Sequence, residues 1–172
     1  MGTRSVLCII SGIIVLAATF LLTWFTLGLS NASGIGLIKN ISDYFVNAEL
    51  IAALWDVPSF VLYIVGGFYI LFLASGVLIL LGLKSRVVAI IGSLMPIGMA
   101  IAILFGSLDM PADIINYVEV FLDLEGLIPG ILPYTLEIGP SGALSLATVA
   151  LGTYVLLVGG VLGFVSAFMD RD

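Results

Sequence analysis

The 172-residue chain has no histidine, one cysteine and 9% charged residues against 62% hydrophobic ones. Without imidazole there is no histidine base, no histidine-ligated haem and no histidine-built zinc or copper site. The lone thiol, Cys8, forms no internal disulfide, holds no iron–sulfur cluster and supports no dithiol exchange. Charge is scarcer still, since a soluble domain devotes about 25% of its residues to it. Five basic and eleven acidic side chains are too few to keep a core this apolar in water, so the solvent is lipid. The net charge of −6 argues against a nucleic-acid partner, which needs a basic face.

What the chain does have is four long uncharged stretches, 5–38, 57–83, 87–108 and 138–169. A bilayer core about 30 Å thick takes about 20 helical residues, so each stretch holds one span and none holds two. The expected fold class is an all-α integral membrane protein of four transmembrane helices. These fall at 6–27, 59–81, 87–107 and 144–168, within a single domain 1–172. Arg4, Lys84, Arg86 and Arg171 fall on one side of the spans and only Lys39 on the other. The positive-inside rule then places both termini and the short middle turn in the cytoplasm, with the protein in the cell membrane. Outer segments 30–58 and 109–143 are acidic. The apolar run after Arg4 is longer than a signal-peptide core, so it reads as a retained anchor helix despite small residues at Ser30 and Ala32.

Helices in lipid associate through close packing at small residues. Gly98, Ala102 and Gly106 recur at four-residue intervals on the third span. Gly159, Gly163 and Ala167 do so on the fourth, with Thr148 and Gly152 above them. Gly66, Gly67, Ala74, Ser75 and Gly76 give the second span a similar stripe, and Cys8 and Gly12 begin one on the first. Two readings stand: these seams pack the bundle itself, or one remains for a partner. Pro96 removes a backbone hydrogen bond to Gly92 and predicts a bend in the third span, which serves as a hinge or is an inert irregularity. No Asp, Glu, Lys or Arg lies inside an expected span, which argues against an ion-coupled transporter.

The first outer segment patterns Ile38, Ile41, Phe45, Ala48, Ala52 and Trp55 on one side of a helix, with Lys39, Asn40, Asp43 and Asn47 mostly opposite. Trp24, Phe25 and Trp55 are expected at the membrane interface, which favours indole and phenyl rings. The second begins a helix near Asp109 and Pro111, continues through Ile114, Ile115, Val118, Phe121 and Leu122, and stops at Gly126. Pro129, Gly130, Pro133, Gly139, Pro140 and Gly142 then break the chain, with a short extended piece at 134–138. The expected cap is thus small, with one or two amphipathic helices. Asn31 and Asn40 head glycosylation tripeptides on this outer side, and Asn40 stands further from the membrane.

No nucleophile elbow, P-loop, dinucleotide-binding or metalloprotease motif occurs, so no enzyme activity, cofactor or metal is expected. The expected function is that of a structural, scaffolding or accessory subunit, whose partners are the lipid bilayer and either itself or another membrane protein. A homo-oligomeric channel or transporter component for small solutes or cations is the alternative. The layout resembles tetraspan proteins such as claudins and tetraspanins in having inner termini and two outer loops. It lacks the Trp-Gly-Leu-Trp and cysteine pair of the first and the Cys-Cys-Gly of the second, so the likeness carries over no functional residue.

The orientation is testable in a Cys8→Ser background. An impermeant maleimide added to intact cells should label cysteines introduced at Asp43 and Asp123, and leave one at Ser85 unlabelled until lysis.

Overall fold

The structure is a computed structural model that describes residues 2–27, 30–54, 58–106 and 147–169. Its elements follow the chain as α1 (Thr3–Leu21), β1 (Phe25–Leu27), β2 (Ser30–Ala32), α2 (Gly34–Val46), α3 (Ala48–Leu54), α4 (Ser59–Leu81), α5 (Arg86–Gly106), β3 (Ala147–Val149) and α6 (Leu151–Phe168). Helices α1, α4, α5 and α6 are each long and apolar enough to cross a membrane. Large apolar side chains such as Ile13, Phe60, Phe68, Val87 and Phe168 stand exposed on their outer faces, where lipid and not water is the favourable contact.

The four long helices pack in the cyclic order α1, α4, α5, α6 and back to α1. Neighbours run antiparallel: Gly152 lies against Thr23, Gly159 against Val15 and Gly163 against Ser11 along the α1–α6 seam. Every seam is built on glycine. Gly12 and Gly76 seat Leu80 and Leu16 between α1 and α4, Gly82 and Gly92 bring α4 against α5, and Gly160 accepts Ile97 and Pro96 of α5. At Gly163 a Cβ would stand 2.6 Å from the hydroxyl oxygens of both Ser11 and Ser93 and 3.3 Å from Ile79. All four helices therefore converge on a position where no side chain fits.

The first and fourth spans end sooner than the hydropathy suggests, at Leu21 and with a start at Leu151. Phe25–Leu27 and Ala147–Val149, expected inside helices, form strands instead. They make a three-stranded antiparallel sheet in the order β2-β1-β3, with Thr26 opposite both Asn31 and Thr148. Aromatic and β-branched side chains suit this pleated surface, and the pairing satisfies backbone groups that a frayed helix end would leave open. The indole of Trp24 donates to Ala18 O at 2.9 Å, capping the last turn of α1. Thr23 and Trp24 carbonyls accept from Gly152 and Ala150 amides, and the Thr153 hydroxyl donates to Trp24 O, so the same turn receives the start of α6. Trp24 and Phe25 are thus fully buried rather than interfacial, Trp24 edge-on to Phe72 at 5.1 Å. The sequence pattern missed this because an indole reads alike whether it meets headgroups or a helix end.

The expected amphipathic segment is two helices broken at Asn47, whose backbone leaves helical geometry and whose amide side chain donates to Asp43 O. Its buried face carries Leu37, Tyr44, Ala48 and Ala52, with Ile41 and Phe45 half-buried, while Ile38 faces outward. The segment 109–143, including the expected helix there, lies outside the described residues.

Gly163→Ala should lower the unfolding free energy in mixed micelles by about 1–3 kcal/mol through overpacking. Gly67→Ala, with open space around its Cβ position, should leave stability unchanged or slightly raised.

Candidate functional site

One helix face organises the interior. On α1, Arg4, Cys8, Ser11, Val15, Ala18 and Thr19 are buried, spaced by three and four residues so that they form a single stripe. The Cys8 thiol donates to Ile79 O at 2.8 Å and the Ser11 hydroxyl to Gly159 O at 2.7 Å, tying α1 to α4 and to α6. Ser93 and Ser166 turn back onto carbonyls of their own helices, Ala89 O and Gly163 O. These hydroxyls are consumed by carbonyls inside the chain, as burial in an apolar medium requires. Thr19 Oγ1 and Ser75 Oγ are buried without a partner.

The expected seam residues divide. Gly152, Gly159, Gly163 and Ala167 on α6 are buried, the glycines against α1 or α5, so this stripe packs the bundle. Gly98 on α5 is exposed, with nothing within 4 Å of its Cβ position, and Ala102 is half-buried. Gly106 ends α5. Pro96 is buried inside α5 with its ring against Gly160, so it fills the α5–α6 seam. Asn31 pairs with Thr26 in the sheet and Asn40 lies on α2.

Gly98 opens onto a groove of roughly 240 Å³ between α4 and α5, lined by Phe68, Tyr69, Phe72, Leu94, Met95, Gly98 and Met99. These positions lie near the middle of both spans, at the depth of the acyl chains. The hairpin is tight at its turn, where Gly82 meets Ala89 and Gly92 meets Leu78 and Ile79. Further along, α5 leans its Pro96 and Ile97 on α6. The groove lies on the α4 side of that stretch.

The cap is seated on α4 by Gly66, whose missing side chain leaves room for the rings of Phe45 and Tyr44. Its neighbour Gly67 meets nothing. Tyr44 donates to Leu62 O at 2.6 Å and meets Phe45 and Tyr69 edge-on, while Phe45 stacks on Tyr63. Val46 and Leu50 are 79% and 62% exposed, beside exposed Asp43, Asn47 and Glu49, which gives the cap a mixed outer surface.

Sequence reasoning missed the burial of Arg4, which donates to Gly82 O at 3.1 Å and is 4% exposed. The signal was present in its spacing from Cys8 and Ser11 on one helical face. Comparison with family models, curated proteins and solved structures finds no match to this chain.

Burial pushes the Tyr44 phenol up to about 12 from its ordinary 10. The fold favours the neutral form, so its contribution is fully present below pH 10 and is lost as pH rises through about 12. An ultraviolet difference titration of wild type against Tyr44→Phe should show this late-titrating group, and the variant should lose about 1 kcal/mol of stability below that window.

Proposed function

We propose that the chain is a non-enzymatic, multi-pass component of the cell membrane that works by lateral association, as a structural or accessory subunit. Both termini and the α4–α5 turn face the cytoplasm in this reading, and the α2–α3 cap faces outward. The observation that carries it is Gly98, an exposed glycine at the lip of a mid-membrane apolar groove. Another transmembrane helix can approach closely there and place an apolar side chain between the Phe68–Phe72 and Leu94–Met99 walls, the van der Waals packing by which helices associate in lipid. The seam on α6 has no such opening, because α1 and α5 occupy it. The cap adds a mixed surface above the same helix, α4.

A transport role within one copy has less support. Among the described residues the buried hydroxyls of Ser11, Ser93 and Ser166 donate to carbonyls within the bundle, Thr19 and Ser75 being the exceptions, and Gly163 brings the four helices into contact. A solute path would have to run between copies.

Native mass spectrometry of the protein extracted from its own membranes in a mild detergent tests the proposal. A stoichiometric second protein, or a small homo-oligomer, is expected, and Gly98→Leu should reduce the associated fraction about tenfold while leaving the monomer's stability within about 0.5 kcal/mol. A lone monomer, or association indifferent to Gly98→Leu, counts against it, and a closed ring of many identical chains would favour the channel.

A further inference from the structure

At the end of the bundle that carries Arg4, Lys84 and Arg86, the Arg4 guanidinium has no acidic partner among the described residues. Arg4 is 4% exposed. One terminal nitrogen, Nη2, donates to Gly82 O, and the other, Nη1, is buried with no hydrogen-bond partner. The described acidic residues, Asp43 and Glu49, both lie in the cap at the opposite end. A buried guanidinium without a counter-ion is a costly arrangement, and the bond to Gly82, which completes the C-terminal turn of α4, accounts for only one of its two forks.

The surroundings suit an anion from outside the chain. Helix α1 begins at this end with no side-chain cap from Gly2 and no acidic residue in its first turn, so the amides of Thr3 and Arg4 have no acceptor among the described residues. Helix α5 begins here too, with Arg86 at its head and again no acid in the first turn. The N-termini of α1 and α5 and three cationic side chains share this end with the C-termini of α4 and α6, so the side chains supply the excess positive charge. Thr3, Lys84 and Arg86 are exposed at this end and Gly2 is half-buried, and Arg86 Nη2 donates to Met169 O at 3.4 Å. One turn deeper, the buried Cys8 thiol donates to the carbonyl of buried Ile79.

We propose that this end binds one phosphate-type oxyanion, with Arg4 as the anchoring cation, the first-turn amides of α1 as further donors, and Lys84 and Arg86 at the rim. A planar guanidinium fork matches two phosphate oxygens. The same chemistry is supplied by the headgroup of an anionic phospholipid or by free phosphate. Basic pockets among transmembrane helices take such headgroups at the membrane surface.

The test uses the full chain in nanodiscs of phosphatidylcholine containing a minority of phosphatidylglycerol, with retained lipid read by native mass spectrometry. One phosphatidylglycerol per chain should be kept, about tenfold enriched over its share of the bilayer, and Arg4→Gln should remove most of that enrichment. Arg4→Lys, which keeps the charge and loses the fork, should fall between, and Lys84→Gln should lose less than Arg4→Gln. The lipid preference of the wild type reads the site even where a variant fails to fold. A parallel arm measures thermal stability in uncharged detergent with inorganic phosphate against chloride at matched ionic strength. Stabilisation there without lipid enrichment assigns the site to free phosphate. No lipid preference together with no phosphate effect overturns the proposal. So does a lipid preference that emerges only in an Asp170→Asn/Asp172→Asn double variant, because Arg4 then has its counter-ion within the chain.

Discussion

The approach of four helices to one point at Gly163 sets the spacing of the whole bundle. Ser11, Ser93 and Ile79 reach it from α1, α5 and α4. In water a bundle is gathered by the contrast between apolar stripes and polar solvent, but in lipid that contrast vanishes and the remaining attraction is contact itself. Dispersion falls steeply with distance, so a bundle held this way must be close, and closeness demands glycine where helices cross. The other seam glycines, Gly12, Gly76, Gly92, Gly159 and Gly160, extend the condition outward along each pair of helices.

Polar groups follow from the same closeness. Once the backbones are near, the carbonyls of Ile79 and Gly159 come within reach of Cys8 and Ser11, and a short side chain links two helices without leaving a donor stranded. The interior is an apolar core crossed by a few short hydrogen bonds, most of them starting from α1. The end of the bundle that carries the sheet has a different solution, in which Trp24 caps α1 with its indole and α6 with its carbonyl while the sheet pairs further backbone groups.

The number of spans was legible in the sequence because hydropathy over some twenty residues averages out local detail. The bounds of α4 and α5 were legible for a local reason: Lys84 and Arg86 leave little freedom in where the turn falls. The strands were not legible, since Phe25–Leu27 and Ala147–Val149 are as apolar as the helices they adjoin and only their mutual pairing distinguishes them. Nor did the sequence separate Gly98 from Gly163. Both sit in four-residue small-residue patterns, yet one is exposed and one lies at the centre, because the difference depends on which way each helix is rotated in the ring. Arg4 illustrates the same limit: a flanking cation and a buried one look alike until the neighbouring turn at Gly82 is in place.

The pairing of β1 with β3 has a consequence for biogenesis. The two strands lie at opposite ends of the chain, so at a synthesis rate of ~5–20 residues per second β1 waits on the order of ten seconds for its second partner. Until α6 is made, the Ser11 hydroxyl lacks its Gly159 acceptor and the Trp24 carbonyl lacks the Ala150 and Thr153 donors of the finished fold. The contacts of α6 with α1 and α5 at Gly152, Gly159, Gly160 and Gly163 therefore close the ring only after the last span has been synthesised.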